Sequence, residues 1–231
     1  YYEEGKSQDD LVSEMASYVE MGARAVKMKV SGVSMSEDVE RVRIVREAIG
    51  PDVDLMVDAN NAYRAREAIR LADRIEAYDV FWFEEPVSQE NVSEMAQVRD
   101  HVRIPIATGE RLYLKHPFYE LVKAQAVDVL QPDICNAGGI TELKKIAAIA
   151  ESQHVSMAPH NTDAAVGTVA SMHLDVAMPN FLIQEYHAEF YEPHYFEVFD
   201  GLPRQKDGYV ELSEDAGFGL TLNEDVFNAH P

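Results

Sequence analysis

Val80-Phe81-Trp82-Phe83-Glu84-Glu85-Pro86 runs from a strongly apolar stretch into two acids and a proline. Aromatic and β-branched residues in so short a run predict a buried strand. Residues 90–100 follow as an amphipathic helix. The same couplet recurs along the chain. Strands are predicted at 25–30, 53–57, 80–83, 104–108, 127–130, 155–158 and 181–184. Helices are predicted at 37–49, 64–77, 90–100, 116–124, 140–153 and 164–177, with an early one at 9–21. In the helix at 37–49, Val39, Val42, Ile44, Val45, Ala48 and Ile49 keep helical spacing, and Gly50-Pro51 stops it.

Alternating strands and helices imply parallel strands joined by right-handed crossovers. An open doubly wound sheet and a closed barrel both fit that pattern. The polar residues choose between them. Lys29, Asp58, Glu84, Glu110, Asp133, His160 and Glu185 end the seven predicted strands, 23 to 29 residues apart. In an open sheet only the strands beside the switch point face a ligand. In a (β/α)₈ barrel every strand end faces one mouth. The predicted fold is therefore an α/β barrel of the TIM type. The helix at 9–21 should follow a first strand, which is expected to lie ahead of Tyr1. Residues 1–190 are assigned to the barrel and 191–231, where the pattern lapses, to a tail.

Composition narrows the function. The 231 residues are 46% hydrophobic and 26% charged, an ordinary globular balance. The net charge of −21 argues against nucleic acid and against anionic membrane surfaces as partners. That acidity fits either a plain solvated surface or adaptation to high salt, where like charges are screened. The single cysteine, Cys135, excludes an internal disulfide and fits a reducing, cytoplasmic setting. No apolar run approaches the length of a spanning helix, and the first residues do not form a signal peptide.

Three groups of residues carry chemistry. Asp58, Glu84 and Glu110 end three consecutive predicted strands. Carboxylates gathered at one place repel unless a cation neutralises them, and an all-oxygen set suits Mg²⁺ better than Zn²⁺. Lys27 and Lys29 share one strand face. Two ammoniums side by side favour loss of a proton from one, which makes a lysine base available. Asp133 and His160 end neighbouring strands, so the carboxylate can fix the imidazole tautomer and leave the other nitrogen for proton transfer. Glu185 is placed to donate a hydrogen bond to a developing enolate if burial keeps it protonated. His187, two residues further on, is a weaker candidate. The class of reaction is removal of a proton next to a carboxylate.

Jointly these motifs make the chain resemble the enolase superfamily, and within it the mandelate racemase subgroup. They are Lys27-Met28-Lys29, Val57-Asp58-Ala59-Asn60, Trp82-Phe83-Glu84-Glu85-Pro86, Thr108-Gly109-Glu110, Gln131-Pro132-Asp133, Ala158-Pro159-His160 and Gln184-Glu185. The resemblance runs from Lys27 to Gly219. It implies a modified (β/α)₇β barrel and Asp58, Glu84 and Glu110 as Mg²⁺ ligands. It implies Lys29 as one base with Lys27 beside it, Asp133–His160 as the other, and Glu185 as the enolate donor. It also implies an N-terminal capping domain, not found in this chain, against which the tail packs. A small-molecule carboxylate substrate and a homo-oligomer, dimer or octamer, are expected as well. Asn60 stands where one group of sugar-acid dehydratases has histidine, which points to the Lys-x-Lys branch. The cycloisomerase branch is disfavoured, because it uses a lysine where this chain has Asp133 or His160. The expected activity is dehydration of an aldonate or aldarate to a 2-keto-3-deoxy acid. The alternative is racemisation of a 2-hydroxy acid. A non-catalytic barrel would require a broken constellation, and all seven strand-end residues are present.

Overall fold

The protein is described by a computed structural model covering residues 7–162, 165–186 and 194–229. His187 lies outside the described residues. The chain forms two compact units, Tyr1–Thr108 with Glu120–Val129, and Gly109–Tyr119 with Leu130–Pro231.

The first unit opens with α1 (Gln8–Glu20). Ser7 and Asp10 cap it reciprocally: the Asp10 amide donates to Ser7 Oγ at 3.2 Å, and the Ser7 amide to Asp10 Oδ2 at 2.7 Å. Next come β1 (Ala25–Lys29), α2 (Met35–Ile49), β2 (Asp54–Asp58), α3 (Ala65–Ile75), β3 (Val80–Glu84), α4 (Val92–His101) and β4 (Ile106–Thr108). Gly50 ends α2 at φ +81°, a conformation open to glycine. The strands are parallel and pair in chain order, with Lys29 beside Asp58 and Asp58 beside Glu84. Alternation on β1 buries Val26 and Met28 and leaves Lys27 and Lys29 on the opposite face. α5 (Lys115–Lys123) comes next along the chain, and the Asp128 amide donates to Ile106 O, leading the chain into β5 (Val129–Leu130).

The second unit contains the β5 residue Leu130, α6 (Gly139–Glu151), β6 (Ser156–Met157) and α7 (Ala165–Asp175). The Ala158 amide donates to Leu130 O at 2.9 Å. The segment predicted as a strand at 181–184 is reduced to one parallel bridge, Met157 to Phe181. Its neighbour β6 is only two residues long, so there is little ladder to extend. The tail forms α8 (Tyr195–Val198), β7 (Phe199–Asp200), β8 (Gln205–Lys206), β9 (Tyr209–Val210), β10 (Thr221–Leu222) and α9 (Glu224–Ala229). Its Leu202, Phe199 and Phe218 pack on Ala165 and Val169 of α7. The tail is thus tied to the strand–helix scaffold by apolar burial.

Asp175 closes α7 and is buried, and among the described residues neither carboxylate oxygen has a hydrogen-bond partner. Burial pushes its carboxyl up to about 8, from an ordinary value of 3.8. The negative end of the helix dipole at this position also disfavours its charge. The folded state therefore holds a proton that the unfolded chain releases. The stability tied to Asp175 is full below about pH 4 and is lost as pH rises toward about 8. Asp175→Asn should flatten this slope and make the variant the more stable form at the alkaline end, as read by urea unfolding across that range.

Candidate active site

In the first unit the strand ends bring four charged side chains together. Asp58 is fully buried at the end of β2, and Lys29 of β1 donates to its Oδ2. Its Oδ1 accepts the Asn60 amide at 2.8 Å. Asn60 and Asn61 turn the chain at φ +44° and +65°, which asparagine tolerates better than most residues. Glu84, also buried, ends β3. Its Oε1 accepts Lys27 Nζ at 2.6 Å and its Oε2 accepts the indole N–H of Trp82 at 3.0 Å. Burial, then the charge of Glu84, pushes the Asp58 carboxyl above its ordinary range, against the pull of Lys27 and Lys29. Both predicted lysines therefore reach the strand-end acids, as their shared strand face implies. Glu85, the second acid of the motif, turns away at φ +41° and accepts Asn61 Nδ2 at 2.9 Å.

The second unit holds the predicted imidazole pair. Asp133, buried after β5, accepts the Cys135 and Asn136 amides on Oδ1 at 2.8 and 2.9 Å. Its Oδ2 lies 2.7 Å from His160 Nδ1. An ionised carboxylate can only accept, so Nδ1 donates and carries a proton. His160 Nε2 then faces Glu110 Oε2 at 3.4 Å and Glu185 Oε2 at 3.9 Å. Glu185 Oε2 accepts the Asn161 amide at 3.0 Å, and Asn161 Nδ2 donates to Glu185 O at 3.1 Å. Glu110 also accepts Arg111 Nε at 3.2 Å.

Two of these residues escaped the sequence reading. Trp82 carries a readable signal, since it lies two residues before Glu84 on the same strand face. Asn161 carries none, because its bonds to Glu185 join segments 24 residues apart.

The donor set suits a hard divalent cation. In the first unit the buried strand-end acids are Asp58 and Glu84. Both offer oxygen only, and desolvation of Asp58 is a cost that a cation would offset.

Residues 10–226 match the Enolase C-terminal domain-like family, and the chain belongs to that family. Its fold class is accordingly the α/β barrel of that family. The chain is 32% identical over 230 residues to the arabinonate dehydratase of Saccharolobus solfataricus, covering 100% of this chain and 61% of that protein. It is 36% identical to the D-galactarolactone cycloisomerase of Agrobacterium fabrum, covering 94% of this chain and 59% of that protein. It superposes with a TM-score of 0.87 at 28% identity on a racemase from Streptomyces coelicolor A3(2) with bound magnesium, covering 96% of this chain and 59% of that one. The chain thus spans about three-fifths of each relative's length.

Gly109 precedes Glu110 at φ +143°, and a Cβ there would meet Phe118 Cε1 at 2.9 Å and the Gln131 backbone at 3.0 and 3.1 Å. The backbone side of that contact cannot yield. Gly109→Ala should cost about 1–3 kcal/mol, measured by chemical denaturation.

Proposed function

We propose that the protein is a magnesium-dependent acid-sugar dehydratase, a carbon–oxygen lyase. It would remove the C2 proton of an aldonate or aldarate and eliminate the C3 hydroxyl as water. The observation that carries this reading is the 2.7 Å bond between Asp133 and His160, which leaves Nε2 as the atom able to move a proton. Identity to the arabinonate dehydratase over the whole chain supports the same reaction class.

In this proposal Asp58, Glu84 and Glu110 hold the ion, and magnesium bound to the racemase relative supports the choice of metal. When bound, the ion supplies positive charge for the substrate carboxylate as the α-proton is lost. Lys29, as the neutral amine, takes the C2 proton. The electron pair left on C2 forms the C2–C3 double bond as the C3–O bond breaks. His160, as imidazolium, gives its Nε2 proton to the departing hydroxyl, which leaves as water. The resulting enol ketonises to the 2-keto-3-deoxy acid. Asp133 stabilises the imidazolium, Lys27 orients the carboxylate group, and Glu185 hydrogen-bonds the developing enolate. A cytoplasmic homo-oligomer belongs to the same proposal. Among the described residues, no helix is long and apolar enough to cross a membrane.

The second reading is a racemase, in which Lys29 and His160 each exchange the proton of one C2 epimer. The racemase among the structural relatives favours it. A library of sugar acids with Mg²⁺ in deuterated water separates the two. A 2-keto-3-deoxy product identifies the dehydratase, and deuterium at C2 of recovered acid without a keto product identifies the racemase. Lys29→Ala should abolish exchange with one epimer and His160→Asn with the other. Lys29→Ala should also stop elimination, a loss of about 10²-fold or more. Undiminished turnover in either variant would remove that residue from its role.

A further inference from the structure

Trp82 is the chain's one tryptophan. It is 4% exposed, lies on the same face of β3 as Glu84, and its indole N–H sits 3.0 Å from Glu84 Oε2. An indole nitrogen only donates and does not titrate. Lysine differs, since its ammonium on Oε1 competes with any cation for the same carboxylate. The indole is a neutral partner that can stay in place while a cation takes the remaining lone pairs. The terminal torsion of glutamate is broad, so an unheld carboxylate rotates freely. A buried carboxylate oxygen without its donor also pays an unmet desolvation cost.

We propose that Trp82 is a positioning residue for the cation at Glu84: its N–H fixes the carboxylate plane in advance, and the same bond makes the ring a reporter of the cation's arrival. This rests on the reading of Glu84 as a cation ligand. Charge drawn from the carboxylate toward a cation changes the field at an indole in direct hydrogen-bond contact, so emission from this lone fluorophore should move on binding. Loss of an outer partner of a metal ligand typically weakens affinity about 10-fold to 100-fold.

The test is calorimetric titration with MgCl₂ of the 231-residue chain, with tryptophan emission followed in parallel. The variants are Trp82→Phe, Glu84→Gln, and 3-benzothienylalanine incorporated in place of Trp82. The last keeps the ring's shape and removes only the N–H, so it remains informative where Trp82→Phe fails to fold. We expect the wild-type emission change to saturate with the calorimetric Kd, and the isosteric variant to bind Mg²⁺ about tenfold or more weakly. Mg²⁺ binding that Glu84→Gln does not weaken, or no binding at all, overturns the cation reading and this role with it. Binding that depends on Glu84, yet stays within about twofold in the isostere and leaves wild-type emission unmoved, overturns the role of Trp82 alone.

Discussion

A carboxylate taken out of water must be given a counter-charge or hydrogen-bond donors, and the strand ends of this protein are organised around that demand. Asp58 and Glu84 are both buried. β1 answers them with Lys29 and Lys27, set two residues apart so that both ammoniums lie on one face. The parallel register places Lys29 beside Asp58 and Asp58 beside Glu84. A one-residue slip of β1 would turn both lysines to the helical side and bring Val26 and Met28 to the acids. The pairing thus constrains the register of the first three strands as much as it shapes the chemistry.

Asp133 meets the same demand differently. It takes two backbone amides on one oxygen and an imidazole on the other. Backbone donors do not titrate, so they hold the carboxylate in place and the imidazole keeps one orientation. Two buried acids are each held by a lysine ammonium on a long side chain, and a third by fixed backbone amides. Asp175 shows the contrast, a buried acid with neither kind of partner among the described residues, whose carboxyl is pushed up to about 8.

Much of this is local in origin and therefore legible in the chain. The alternation of apolar runs with amphipathic stretches determined the parallel strand–helix order, because burial on both strand faces and on one helix face leaves distinct periods. The spacing of Lys29, Asp58, Glu84, Glu110, Asp133 and His160 determined that these polar residues stand at or within three residues of a strand's end. The two-residue period of β1 determined that Lys27 and Lys29 lie on one face. Only the tertiary structure decided which atom meets which. The donor held by Glu84 Oε2, the grip of Asn161 on Glu185, the apolar seat of the tail on α7 and the reduction of the last strand to a single bridge all depend on side-chain rotamers and on segments brought together from afar. Those choices are made by close packing and hydrogen-bond geometry over a few tenths of an ångström, a scale on which residue type and periodicity carry no information.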